Sequence, residues 1–165
     1  MSNLGLIVQS QLEQAIGSGK AFAFHADDQA LANGANLDVI LETGDCELHL
    51  QSIVVSADSG PDSIKLFEGV TASADGTILT TNCKNRVNKQ TAETVVRQNP
   101  TISNTGTEID DHKNYTASKK ANVFDAGSTD EWILSTNTKY LVRFNNASGG
   151  EVEVQLHFVF YEVPV

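Results

Sequence analysis

From Lys139 to Glu162 the chain alternates apolar and polar positions with a period of two, interrupted once by a polar, glycine-containing stretch. Tyr140, Val142 and Phe144 point one way, and Lys139, Leu141 and Arg143 the other. Val152, Val154, Leu156, Phe158 and Phe160 share one face. Glu151, Glu153, Gln155 and His157 begin the opposite face, and Val159 and Tyr161 finish it. Side chains alternate across a strand, so the pattern predicts two strands, each with one buried face and one mostly wetted. Asn145 to Gly150 holds residues that tolerate positive φ and predicts a hairpin loop between them. Such a hairpin carries more apolar surface than it can bury alone, so a second sheet must cover it.

The same period recurs upstream. Phe22 and Phe24 alternate within Ala21 to His25, and Leu37, Val39 and Leu41 follow a polar loop at Asp27 to Asn36. After a turn at Thr43 to Asp45, Glu47 to Ala57 is a long strand. Simple alternation there puts Leu48, Leu50 and Val54 on one side and His49, Gln51, Ile53 and Val55 on the other. Asp58 to Asp62 is a turn, Ile64 to Val70 a strand, Ser73 to Gly76 a loop, and Thr77 to Val87 a Thr-rich, β-prone segment. Asn88 to Thr129 has few large apolar residues and predicts long loops with edge pairing. Its strand-like fragments are Thr94 to Val96, Thr107 to Ile109 and Ala121 to Phe124, and a partner is one way to order such a stretch. Glu131 to Leu134 turns apolar again, with Trp132 expected in the core. Residues 1–19 are the one place for a helix: Leu12 and Ile16 have helical spacing, Leu4 and Val8 extend it, and Gly17 to Gly19 stops it. That segment either caps the core or forms an arm lying on a neighbouring subunit. About eight strands at short spacing, without βαβ alternation, predict an all-β fold over 20–165: an antiparallel, jelly-roll-like or immunoglobulin-like sandwich with a polar loop region at about 88–130.

Composition narrows the function classes. The 165 residues are 40% hydrophobic and 19% charged, with a mean hydropathy of -0.20, which suits one soluble domain. The net charge of -10 argues against a nucleic-acid surface and against anionic lipid, and suits mutual repulsion between copies or a basic partner. Leu4 to Val8 is too short for a secretory leader, no Lys or Arg precedes it, and no stretch approaches a membrane span, so synthesis in a cytoplasm is expected. Cys46 and Cys83 are expected as reduced, half-buried thiols.

Candidate chemistry is sparse. His25, His49, His112 and His157 make no His-x-His or His-x-x-x-His pair, and a tetrahedral zinc site needs three converging ligands. Asp110, Asp111 and His112 form the one local acidic cluster with a histidine, a weak candidate for a hard cation in a polar loop. No nucleophile elbow or phosphate-binding glycine loop is present, so no catalytic residue and no cofactor is expected. Asn114-Tyr-Thr116 and Asn146-Ala-Ser148 match the glycosylation pattern, which has meaning only on a secretory route.

Four stretches together carry a resemblance: Ile64-Lys-Leu-Phe-Glu-Gly69, Gly76-Thr-Ile-Leu-Thr-Thr-Asn-Cys-Lys-Asn-Arg86, Ile133-Leu-Ser-Thr-Asn-Thr-Lys-Tyr-Leu-Val-Arg-Phe-Asn-Asn146 and Phe158-Val-Phe-Tyr-Glu162. Over roughly Leu37 to Glu162 the chain resembles small β-sandwich virion proteins of tailed bacteriophages. It departs from their pattern at Phe67, where Tyr is usual, at Cys83 within the Asn-x-Asn-Arg region, and at Asn145, where Thr is usual; these changes keep the strand pattern. The resemblance implies a non-enzymatic structural part of the particle: a head decoration or cement protein, trimeric, seated on the major capsid protein at the virion surface. A tail or fibre component is the nearest alternative. A carbohydrate-binding module of the same architecture is a second, although aromatics make up only 7% of the chain. A hydrolase on a β scaffold ranks last. The expected interface residues are Leu4, Leu6, Ile7 and Leu12 of the arm, with Asn85, Arg86 and Arg143, whose polar groups can bond across subunits. For the two arginines, ordinary surface exposure or pairing within the chain is the competing expectation.

Overall fold

The computed structural model describes residues 10–60, 62–114, 122–125 and 131–165. In chain order they form α1 (Gln11–Ser18), β1 (Ala21–Leu31), β2 (Asn36–Glu42), β3 (Cys46–Ala57), β4 (Asp62–Glu68), β5 (Thr71–Ala74), β6 (Thr77–Ile78) and β7 (Asn82–Cys83). There follow β8 (Val95–Gln98), β9 (Thr101–Asn104), β10 (Thr107–Asn114), β11 (Asn122–Asp125), β12 (Trp132–Leu134), β13 (Lys139–Asn146) and β14 (Val152–Pro164). The first sheet has the order β11-β3-β14-β1-β7, with β12 also on β3. The second has the order β10-β4-β13-β2-β8-β6, and β5 pairs β9 separately.

From β1 to β4, and again from β12 to β14, successive strands change sheet at each turn. β1, β3, β11, β12 and β14 belong to the first, and β2, β4, β10 and β13 to the second. Partners are nested: β1 with β14, β2 with β13, β3 with β12 and β11, β4 with β10. Strands folded over in this way make a jelly roll, the all-β sandwich that the pattern predicts. The closing segment is therefore not a hairpin. β13 and β14 lie in opposite sheets, and Asn145 to Gly150 is the corner between them. Periodicity reports which face a strand buries, and a strand across the core buries it as well as a strand alongside. The corner is pinned by Asn146, whose amide donates to the carbonyls of Leu31 and Gly150, while its Oδ1 accepts from the Ser148 N–H.

The core between the sheets is an aromatic and aliphatic layer. Phe24 stacks on Phe158 with centroids 4.4 Å apart, and Phe22 and Phe160 lie 5.5 Å apart. Leu37, Val39 and Leu41 face Tyr140, Val142 and Phe144 from the neighbouring strand, and all are buried. In β3 simple alternation fails. The pairing to β14 shifts between Val159 and Phe160, opposite Ser52 and Leu50, so Gln51 is an extra residue. One inserted residue reverses every side chain after it. Ile53 and Val55 thus join Leu48 and Leu50 in the core, and Val54 turns outward.

Both outer faces carry a small second core, which the expectation of a wetted face missed. On the second sheet, Ile40, Leu141 and Phe67 form one cross-strand row, covered by Val70, Ala72 and Ile102 of the β5–β9 ribbon and its flank. On the first, Tyr161 is covered by α1 through Leu12, Ala15 and Ile16. α1 starts with a capping box, in which the Ser10 hydroxyl accepts from the Glu13 N–H and the Glu13 carboxylate from the Ser10 N–H. Residues 69–106 then run along the open side of the roll. β7 extends the first sheet beyond β1, and β8 and β6 extend the second beyond β2. The turn into β10 needs Gly106: its φ is +78°, and any Cβ there would collide with the Glu68 carbonyl.

Three further expectations change. Thr77 to Val87 keeps only two short pairings, at Thr77–Ile78 and Asn82–Cys83. The strand at Ala21 continues through Asp27 to Leu31 rather than looping there. Asn88 to Thr129 carries the expected edge pairing with more strand than loop: its described part holds β8 to β11, of which β10 and β11 lie at sheet edges and need few large apolar residues. Of its three fragments, Thr107 to Ile109 opens the longer β10, and Ala121 lies outside the described residues.

Candidate functional site

Several polar residues of the motif-bearing stretches are engaged inside the fold. On the outer face of the second sheet, Arg143 and Asp38 are directly opposed across β13 and β2. The guanidinium donates to both carboxylate oxygens, Nε to Oδ1 and Nη2 to Oδ2, each at 2.7 Å. The bond to Asp38 pushes the Arg143 pKa above its ordinary value, so the guanidinium keeps its charge and its two charge-assisted bonds. At the end of β4, the Tyr140 hydroxyl donates to Glu68 Oε1 and accepts from the Ser135 N–H, both at 2.9 Å. Burial raises its pKa.

Glu162 continues the inward face of β14 and is 2% exposed. Its carboxylate accepts from the N–H groups of Glu93, at 3.1 Å, and Thr94, at 2.8 Å, tying the 69–106 strap to the last strand. Beside it, the Cys46 thiol is pushed up from 9.0 to about 11, first by burial and then by the negative fields of Glu162 and Glu93. The neutral thiol is the form the fold favours. This contribution to stability is whole below the unfolded-state pKa and is lost as pH rises from about 9 to about 11. Urea titrations across that range should show stability falling less steeply in Cys46→Ala than in the parent. Cys46 and Cys83 are both free and buried, with no disulfide between them; the Cys83 thiol lies against the Gly19 carbonyl at 3.3 Å.

A third polar cluster lies under α1. The buried His49 ring stacks on Tyr161 with centroids 4.5 Å apart. Its Nδ1 lies 2.9 Å from Glu131 Oε1 and its Nε2 3.7 Å from Glu47. The Tyr161 hydroxyl donates to Gln11 Oε1 at 2.8 Å. Burial, with Glu131 nearby, holds that phenol above its usual range. The cluster fastens the helix to the sheet. Simple alternation placed His49 on a face with Gln51, Ile53 and Val55, and Glu162 was not expected to be buried. The available signal was an acid continuing the core-facing alternation of Leu156, Phe158 and Phe160.

Asp110, Asp111 and His112 do not form a loop site. They lie in β10, opposite Leu66, Lys65 and Ile64. Strand alternation turns Asp111 away from its two neighbours, and its carboxylate pairs with Lys65 at 3.6 Å and Lys113 at 3.5 Å. Among the described residues no group of three His, Cys, Asp or Glu is arranged to hold a metal ion. The strand is an edge, and its charges discourage pairing with another chain.

Of the expected interface residues, Leu4, Leu6 and Ile7 lie outside the described residues. Leu12 packs within the chain against the Tyr161 cluster, and Arg143 is engaged with Asp38. Asn85 and Arg86 are different. Asn85 Oδ1 accepts from the N–H groups of Val87, at 3.0 Å, and Asn88, at 2.8 Å, while its amide donates to the Gly17 carbonyl at 3.0 Å. This side chain closes a tight turn and fixes it to the end of α1. The turn presents Arg86 and Val87 to solvent; Val87 is 98% exposed, and Arg86 makes no ion pair among the described residues. Ile133, on the short β12 edge, is 58% exposed. Trp132, expected in the core, is half-buried at its margin. The structure thus offers a braced tip and an apolar edge, both outside the packed body.

No protein-family model matches the sequence, and no curated protein matches it. No described helix is long and apolar enough to cross a membrane.

Proposed function

We propose that this chain is a non-enzymatic structural subunit of a virus particle: a jelly-roll body that assembles as a trimer and decorates or reinforces the head of a tailed bacteriophage through the major capsid protein. The observation that carries this reading is the Asn85 turn. Three hydrogen bonds from one side chain hold a loop whose outward residues, Arg86 and Val87, give the fold nothing in return. A guanidinium carried on a braced loop beside an exposed apolar group is the chemistry of a contact with a carboxylate-bearing protein surface. The motif residues Tyr140, Arg143, Asn146 and Glu162 support the same reading, since each holds strands or corners together and none is left for a reaction. A net charge of -10 keeps free copies apart until a specific contact forms.

Analytical ultracentrifugation over the micromolar range should give a trimer, and the protein should cosediment with purified phage heads. The double variant Arg86→Glu, Val87→Asp should keep its melting temperature and lose at least one of these associations. A strict monomer at every concentration that also ignores heads would overturn the proposal. Recovery in tail fractions instead would move the protein to the tail.

A further inference from the structure

The outer face of the first sheet holds a feature that the assembly role does not use. His25 on β1 and His157 on β14 are directly opposed across the strands. Phe24 and Phe158 fill the core, so the two imidazoles project outward. Their rings stack with centroids 4.6 Å apart and planes 21° from parallel. His25 is exposed and His157 half-buried. Among the described residues neither ring hydrogen-bonds to another protein group, so each has an uncommitted lone-pair nitrogen. Two strongly paired strands hold the imidazoles side by side, and β14 is locked between β1 and β3.

We propose that His25 and His157 together form a two-nitrogen site for a borderline divalent transition cation, taking Cu(II) in preference to Ni(II) or Zn(II). A metal bonded at about 2.0–2.1 Å to each nitrogen holds the two nitrogens no more than about 4 Å apart, so the imidazoles leave the stack and swing their ring edges toward a shared ion by changes of rotamer. Imidazole is the ligand these ions favour, and the order among them follows the general affinity series. Burial pushes the His157 pKa below its ordinary value, and His25 and Lys84 add to the effect. The rest of the face sets the balance. Asp27 on β1 and the overall negative charge favour a cation; Lys84, just beyond β1, opposes one; Ala23, Gln155, Val159 and Val54 are neutral. The remaining coordination positions face solvent, so the site holds the ion without burying it.

The test uses the full chain and Cu(II) alone, in a non-coordinating buffer near neutral pH. Calorimetry should give one strong equivalent, and electron paramagnetic resonance should show coupling to two imidazole nitrogens. His25→Asn and His157→Asn should each weaken binding about tenfold or more, because removing one of two tethered ligands forfeits the chelate gain. Lys84→Gln should strengthen it. His112→Asn should leave it unchanged. Unaltered copper binding in both His25→Asn and His157→Asn, or a spectrum of copper on the N-terminal amine, would overturn the proposal. If either variant fails to fold, carbethoxylation of the wild-type protein decides: copper should protect His25 and His157 from the reagent, and equal labelling with and without copper would refute the site.

Discussion

Phe158→Ala should lower the unfolding free energy by about 3–5 kcal/mol, the usual range for removing a buried aromatic ring. Phe158 is fully buried, stacked on Phe24, on a strand paired along both edges. A site so held cannot close around the space left behind, so the cavity cost adds to the lost transfer energy. Phe24 would also lose its stacking partner, worth roughly 0.5–1.5 kcal/mol beyond area. Phe158→Leu keeps most of the volume and should cost appreciably less. Urea denaturation with a constant slope measures both. A loss under about 1 kcal/mol for the alanine variant would mean that the two sheets do not meet at this ring.

Glu162→Ala should cost about 1–3 kcal/mol, because the N–H groups of Glu93 and Thr94 lose their acceptor where water is largely excluded. The damage should be local as well as global. Amide exchange at Glu93 and Thr94 should accelerate well before that of the β1–β14 pairing, since the strap is released while the roll persists. Glu162→Gln keeps one acceptor and should fall between the two. Removing the charge should also let the Cys46 thiol ionise at lower pH than it does beside the carboxylate. Unchanged exchange at the two amides would show that the strap is held by something other than this carboxylate.

The strand faces were readable because the core of a sandwich imposes a strict alternation. Phe22 and Phe24, Leu37 to Leu41, Tyr140 to Phe144 and Val152 to Phe160 all follow it into the core. Two kinds of information were not local. Ile53 and Val55 were assigned to the wrong face because a bulge at Gln51 has no signature in a polar strand position, and everything downstream inverts. Asn145 to Gly150 looked like a hairpin because a corner between sheets uses the same residues as a turn between neighbours. Leu141 was expected outside, opposite Ile40 on the neighbouring strand. They are buried because the β5–β9 ribbon returns over them from far along the chain. At the candidate site, Asn85 and Arg86 stood out through the resemblance, but the brace from Asn85 to Gly17 joins segments 68 residues apart and needed the fold. The His25–His157 pair depends on the β1–β14 register, which no spacing within either strand encodes.

The nesting of strand partners has a kinetic consequence. Ala21 lies opposite Tyr161, so β1 must wait, unpaired along one edge, until nearly all of the intervening chain has been synthesised. Loop closure on that scale is entropically costly before any contact rewards it, and folds dominated by such distant pairings form slowly, in about milliseconds to seconds. A nascent chain stalled before Val152 would hold the aromatic face of β1 open to water and to its own copies. Completion of the roll therefore follows the synthesis of β14, and shielding by chaperones matters most in the interval just before β14 leaves the ribosome.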